Sequence, residues 1–198
     1  MKTTTRLPIV GVMGSSDAHM ERLRAADPAT IPRMETRAEA LGRQLSTRRV
    51  NLLSGGGGGM MLAVCRGFAS STSRIGKVIG VIPGPLPREG YPNSFVEILI
   101  RTHLPGHDPL AETSRNHINV LSSDAVIALP GGPGTSAEVE LARRYQRPVC
   151  VFLGKEDLIG GKDGNEWAAD GIPWFSEFDQ LSDWVDSKLS CQADVQEG

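Results

Sequence analysis

Pro130-Gly131-Gly132-Pro133-Gly134-Thr135-Ser136-Ala137-Glu138 is the stretch on which the reading of this chain turns. Ahead of it, Asp124-Ala125-Val126-Ile127-Ala128-Leu129 reads as a buried strand, and behind it Ala137 to Tyr145 reads as a helix. A strand, a glycine turn and a helix start bring several free N–H groups against an anionic ligand. Glycine suits such a turn because a Cβ would block close approach and because the backbone angles are unusual. Glu138, one turn into the helix, puts a candidate catalytic acid or base beside that candidate phosphate site. The same residues also fit a capping box, with Thr135 as the cap and Glu138 folding back to the first N–H. Both readings stand open on this stretch alone.

A second turn of the same design lies upstream. Val50 to Ser54 reads as a strand, Gly55 to Gly59 as the turn, and Met60 to Cys65 as the start of a helix. Consecutive glycines carry an entropic cost that a merely connecting loop rarely needs. Two such turns at the carboxyl ends of parallel strands would converge on one crevice. Gly56, Gly57, Gly58, Gly59 and Met61 therefore join the candidate ligand contacts. Neither turn is followed by Gly-Lys-Ser/Thr, and neither is a clean G-x-G-x-x-G, which argues against an ATPase and an ordinary dinucleotide dehydrogenase.

The rest of the chain supplies the frame. Its 198 residues, 39% hydrophobic and 22% charged, fit one globular domain, expected over 1–189 with a flexible tail at 190–198. A net charge of −2 and the lack of a Lys/Arg block give no reason to expect a nucleic-acid partner. No run is long enough to span a membrane and no signal peptide opens the chain, so a cytoplasmic location is expected. Cys65 and Cys150 fall within helix and strand patterns and read as small buried thiols; no metal-ligand spacing appears. Strand-like runs recur at Ile9–Met13, Lys77–Ile82, Phe95–Arg101 (an edge strand), Pro148–Leu153 and Ile172–Phe175, alternating with helical patterns at Arg33–Arg48, from Asp108-Pro109 to about Ser122, and at Phe178–Leu189. Residues 20–32, punctuated by Pro28 and Pro32, read as irregular, and Gly160–Gly171 reads as a loop. This order predicts an α/β fold: a doubly wound, mainly parallel sheet with helices on both faces.

Arg115 is the second candidate for chemistry. With Leu110, Ile118 and Leu121 as the buried stripe of its helix, it lies on the flank, about 140° from Leu110. A guanidinium there reaches over the carboxyl edge of the sheet to hold a phosphate or a base; the alternative is a surface ion pair. Asn116 and Asn119 offer hydrogen bonds, whereas His117 reads as a helix-surface residue. Gly14, Ser15 and Ser16 end the first strand and open on the same crevice, as ligand contacts or as ordinary turn residues. Apolar Val64 and Val120 lie beyond a single stripe and suggest a homo-oligomeric face.

At these residues the chain resembles a known family. Pro-Gly-Gly-x-Gly-Thr-x-x-Glu at 130–138 is similar to the hallmark of the LONELY GUY family of cytokinin riboside 5′-monophosphate phosphoribohydrolases, often mislabelled lysine decarboxylases. Gly14-Ser15-Ser16, Leu53 through Met61, Val78 through Pro83 and Arg115 also match, in the family's order, over most of 9–153. The resemblance implies a Rossmann-like fold and hydrolysis of a nucleoside 5′-monophosphate to free base and ribose 5-phosphate. It implies catalytic roles for Arg115 and Glu138, phosphate binding by Pro130, Gly131, Gly132, Gly134 and Thr135, no required cofactor or metal, and a homodimer or higher homo-oligomer. There are departures: Asn116 follows Arg115 where that family usually has Lys, and Leu62 stands where one subgroup has Glu. Ser114–Asp124 and Asn93–Ile98 instead resemble molybdenum-cofactor carrier proteins. That likeness implies a crevice that binds the phosphorylated pterin, with the molybdenum cofactor as ligand and no catalysis.

Overall fold

Short runs that are apolar on both sides need cover on both faces, and the computed structural model, which describes residues 6–84, 91–104 and 114–194, shows them covered in that way. Strands β1 (Ile9–Met13), β2 (Asn51–Ser54), β3 (Val78–Ile82), β4 (Ile98–Arg101), β5 (Ala125–Ala128), β6 (Val149–Phe152) and β7 (Trp174–Phe175) form one sheet in the order β4-β3-β2-β1-β5-β6-β7. Every pairing among them is parallel. The strand alternation sends Val10, Val12, Ala125 and Ile127 to one face and Met13, Val126 and Ala128 to the other. Helices α2 (Thr30–Ser46), α3 (Met60–Ala69) and α7 (Phe178–Asp194) cover the first face. Helices α4 (Asn116–Leu121), α5 (Pro133–Arg144) and α6 (Gly164–Ala169) cover the second. The fold is α/β and doubly wound, and the strand order reverses between β1 and β5, where such sheets open a crevice at their carboxyl ends.

Several expectations need correction. Helix α1 (Asp17–Ala26) and the start of α2 take up most of 20–32, the stretch expected to be irregular. Pro28 falls in the break after α1, and Pro32 sits in the first turn of α2, where its missing N–H has no helical acceptor to disappoint. Asp27 shapes the break by accepting from the Ala29 N–H at 3.0 Å and the Thr30 hydroxyl at 2.6 Å. The stretch 160–171 is not all loop. Asp163 and Glu166 form a capping box that starts α6, and Trp167 drops fully buried into the second core. Helix α7 continues to Asp194, five residues beyond its expected end. The predicted helix start at Asp108-Pro109 and residues 195–198 of the expected tail lie outside the described residues.

The core also absorbs positions expected elsewhere. Val64 and Val120 are fully buried within the chain, so they form no surface for a second copy. Cys65 in α3 and Cys150 in β6 are buried free thiols, as their patterns predicted. Among the described residues, no helix is long and apolar enough to cross a membrane.

Candidate functional site

The signature turn links β5 to α5, and its peptide groups divide into two sets. Pro130 accepts from both the N–H and the hydroxyl of Ser15, at 3.0 and 2.8 Å. Gly131 donates to Leu158 at 3.0 Å and accepts from Gly160 at 2.9 Å. Ser15, Pro130 and Gly131 thus spend these groups on tying β1, β5 and the loop after β6 together. The second set lies at the start of the helix. Gly132 is the extended cap residue of α5, and Pro133 opens the helix without an N–H of its own. The amides of Gly134 and Thr135 follow, and a first-turn amide has no acceptor within its own helix. A Cβ built on Gly134 would meet nothing within 4 Å, so there is open space beside that residue, whereas Thr135 is buried, with its hydroxyl against Gly131. The capping-box reading of Thr135 and Glu138 is overturned, because the helix starts two residues before Thr135 and no side chain caps it.

Glu138 turns inward instead. It lies on α5, buried, and accepts a hydrogen bond at 2.8 Å from the Asn119 side chain of α4. Asn119 is itself fully buried, and its carbonyl oxygen finds no partner. Burial pushes the Glu138 carboxyl up to about 7, against the opposing pull of the Asn119 hydrogen bond and the positive charge of Arg115. A carboxyl held there changes protonation state across neutral pH, the property wanted in a group that exchanges protons.

Arg115 precedes α4 as its cap rather than riding on a helix flank. Its Nη1 donates to the Gly55 carbonyl at 2.8 Å and, in a shorter bond, to the Val81 carbonyl. The guanidinium therefore bridges the carboxyl ends of β2 and β3. The buried face of α4 is His117, Asn119 and Val120, whereas Leu121, expected in the apolar stripe, is 44% exposed. Polar side chains go inside because each has a partner. His117, read as a surface residue, packs against Tyr145, whose hydroxyl lies 2.6 Å from its Nδ1. The Asn116 backbone N–H donates to the Ser114 hydroxyl at 3.3 Å.

The five-glycine turn is a seat rather than an open cradle. Tyr91 donates to the Gly55 carbonyl at 2.7 Å, beside Arg115. Asn93 donates from its backbone to Gly56 at 2.8 Å and from its side chain to Gly57 at 2.9 Å. The Gly56 amide is taken by the Ser54 hydroxyl at 3.1 Å. Gly56 has φ +70°, which only glycine adopts without strain, and a Cβ on Gly58 would run into the Asp17 carboxylate. The Met61 sulfur covers Gly55, 3.0 Å from a Cβ built there. Gly14 packs against Met60 and Leu129, and Ser16 is exposed as the cap residue of α1. Tyr91, Asn93 and His19, whose ring lies against Gly132, were missed by sequence reasoning. Tyr91 and Asn93 fall in a proline-rich loop, and His19 falls in α1, a helix that the sequence pattern does not announce.

Fold and site together define a Rossmann-like α/β protein with a glycine turn and helix start beside a buried carboxyl. The chain belongs to the SLOG cluster4 family, whose model matches residues 7–169. It is 37% identical over 116 residues to a protein of Oryza sativa subsp. japonica described as probable cytokinin riboside 5′-monophosphate phosphoribohydrolase LOGL5. That match takes in 58% of this chain and 43% of the rice protein, so the chain spans under half of that relative's length. Among solved structures, the molybdenum cofactor carrier protein of Chlamydomonas reinhardtii is similar at TM-score 0.68 and 26% identity, covering 93% of this chain and 99% of that one. The molybdenum cofactor binding protein of Rippkaea orientalis is similar at TM-score 0.68 and 28% identity, covering 93% and 98%.

Proposed function

We propose that the protein hydrolyses the N-glycosidic bond of a nucleoside 5′-monophosphate, releasing the free base and ribose 5-phosphate. The observation that carries this reading is Glu138: a buried carboxyl, raised to about 7, on a helix that begins at a glycine turn with open space beside Gly134. The 5′-phosphate sits at the amides of Gly132, Gly134 and Thr135, where the positive end of the 12-residue helix α5 adds its dipole. The bond from C1′ to the base nitrogen breaks with its electron pair leaving on the base, through an oxocarbenium-like ribosyl state. The Glu138 carboxylate stabilises that cation and takes a proton from the water that attacks C1′. The departing base gains a proton in return. Asn119 holds the carboxyl in place, and Arg115 adds positive charge nearby while fixing the ends of β2 and β3. No metal or redox group enters these steps.

A second reading has a specific observation behind it. Asn116 stands in place of lysine, and the two molybdenum-cofactor proteins match this chain over nearly their whole length. Under that reading the same crevice carries a phosphorylated pterin as cargo without cleaving it. Incubation with a panel of nucleoside monophosphates, following free base and ribose 5-phosphate, separates the two. The proposal expects base release from at least one purine monophosphate. No release from any of them, together with a pterin or molybdate retained through gel filtration, establishes the carrier instead. Assembly into a homodimer now rests on the family resemblance alone, and sedimentation at micromolar concentration measures it.

A further inference from the structure

The signature turn has a second side that the proposed chemistry does not use. A cleft of about 310 Å³ opens there, at the lower end of the range for small-molecule pockets. Leu23 of α1 and Met34 of α2 line it, with Pro130 to Pro133 on one wall and residues 156–161 on the other. The two walls are stitched together by the Gly131–Leu158 and Gly160–Gly131 backbone bonds, so their spacing is fixed. His19 stands at the turn, where a Cβ on Gly132 would lie 3.0 Å from its Nδ1. Arg115, Asn119 and Glu138 take no part in the lining. They belong with α4 and α5 on the second face of the sheet, whereas Met34 packs on the first. A phosphate at the start of α5 would thus border the cleft on the side away from Glu138.

The chemistry of the cleft narrows its occupant. Its apolar surface comes from Leu23, Met34, Leu158 and two prolines, and among the described lining residues there is no lysine or arginine. The carboxylates present are Glu156 and Asp157, the latter paired with Arg33 at 2.9 Å and bonded to the Gly154 amide. His19 is held below its ordinary value by burial and by Arg22, which favours the neutral ring at pH 7. Such a lining offers no charged partner for a second phosphate, and it suits an uncharged ring with amino donors for Glu156 and flat faces for the apolar walls.

We infer that the cleft binds a second nucleoside-like group joined to the far side of the phosphate, so that the preferred ligand is a dinucleoside phosphate or diphosphate rather than a simple monoester. This rests on the phosphate assignment in the proposed function and extends it. The bond broken stays the same: water adds to C1′ beside Glu138, and the base leaves with the bonding electrons and a proton. The ribose phosphate then remains attached to the group in the cleft.

Calorimetric titration of AMP, ADP and diadenosine 5′,5′-diphosphate, with the guanine counterparts as a second set, tests the inference. The dinucleotide is expected to bind at least tenfold tighter than the monophosphate, and ADP no tighter. Leu158→Asp places a charge at a 48% exposed position of the cleft, and Leu158→Trp fills the cleft with an apolar ring. Each is expected to erase the dinucleotide's advantage while leaving monophosphate affinity within about twofold. Equal affinities for monophosphate and dinucleotide overturn the inference and leave the proposed function standing. So does an advantage that survives both Leu158 variants. If neither nucleotide of either set binds, the phosphate assignment itself fails, and the inference falls with it.

Discussion

The two glycine turns of this chain have the same design in sequence and opposite uses in space. In the turn after β2, Arg115, Tyr91 and Asn93 occupy the carbonyls of Gly55, Gly56 and Gly57 from outside, and the Ser54 hydroxyl takes the Gly56 amide. Its glycines make room for protein groups, and its product is a fixed guanidinium. In the turn after β5 the carbonyls face inward toward Ser15 and Gly160, and open space lies beside Gly134 at the start of the helix that follows. Glycine content marks both as places of close approach. Which peptide groups point outward decides what approaches, and that is a property of the fold.

The contrast is broken most sharply at Glu138. Glu138→Gln keeps the shape of the side chain and its bond from Asn119 but removes the charge. Turnover is expected to fall about 100–1,000-fold, as for other single electrostatic groups at a reacting centre. Stopped assays of base release measure it, and wild-type turnover in the variant eliminates the mechanism. The same variant should be more stable than the wild type at alkaline pH. The unfolded carboxyl loses its proton near the ordinary value of 4.5, whereas the folded one keeps it to about 7. Stability of the wild type therefore declines as pH rises between those values, by a total of roughly 3 kcal/mol. Urea unfolding of both proteins at pH 4 and pH 8 should show a gain for the variant at pH 8 that shrinks toward pH 4; a pH-independent difference contradicts the buried-carboxyl assignment.

A pair of glycine substitutions then crosses the two turns. The Cβ of Gly134→Val meets no protein atom within 4 Å, so the fold is expected to tolerate it, but the side chain fills the space beside the start of α5. Monophosphate affinity should drop at least tenfold, about 1.4 kcal/mol, in calorimetry. Gly56→Ala, at φ +70°, is expected to cost about 1–2 kcal/mol of stability with affinity for the monophosphate left near wild type. If Gly56→Ala weakens the nucleotide more than Gly134→Val, the roles of the two turns are reversed.

Much of this was legible in the chain. Continuous apolar runs such as Val126–Leu129 and Val149–Leu153 specify buried parallel strands, because an exposed face would need polar alternation. The glycine turns could be placed for the same reason. Reading failed where tertiary partners outweighed local pattern. His117 and Asn119 are polar residues on a short helix, and Tyr145 and Glu138, far away in sequence, give them partners inside. Prolines 28 and 32 suggested irregular chain, yet one falls between two helices and the other in a first turn that tolerates it. The capping box did exist, at Asp163 and Glu166, where a glycine-rich context hid it, and not at Thr135 and Glu138, where its spacing was equally good.

The most direct test of the account is base release from a matched nucleoside and nucleoside 5′-monophosphate by wild-type protein and Glu138→Gln, with free base and ribose 5-phosphate quantified together. The account predicts release from a purine monophosphate by the wild type, in equal amounts of base and ribose 5-phosphate, little from the nucleoside lacking phosphate, and a near-complete loss in Glu138→Gln. Release that is as fast without the phosphate, or that persists in the variant, contradicts it.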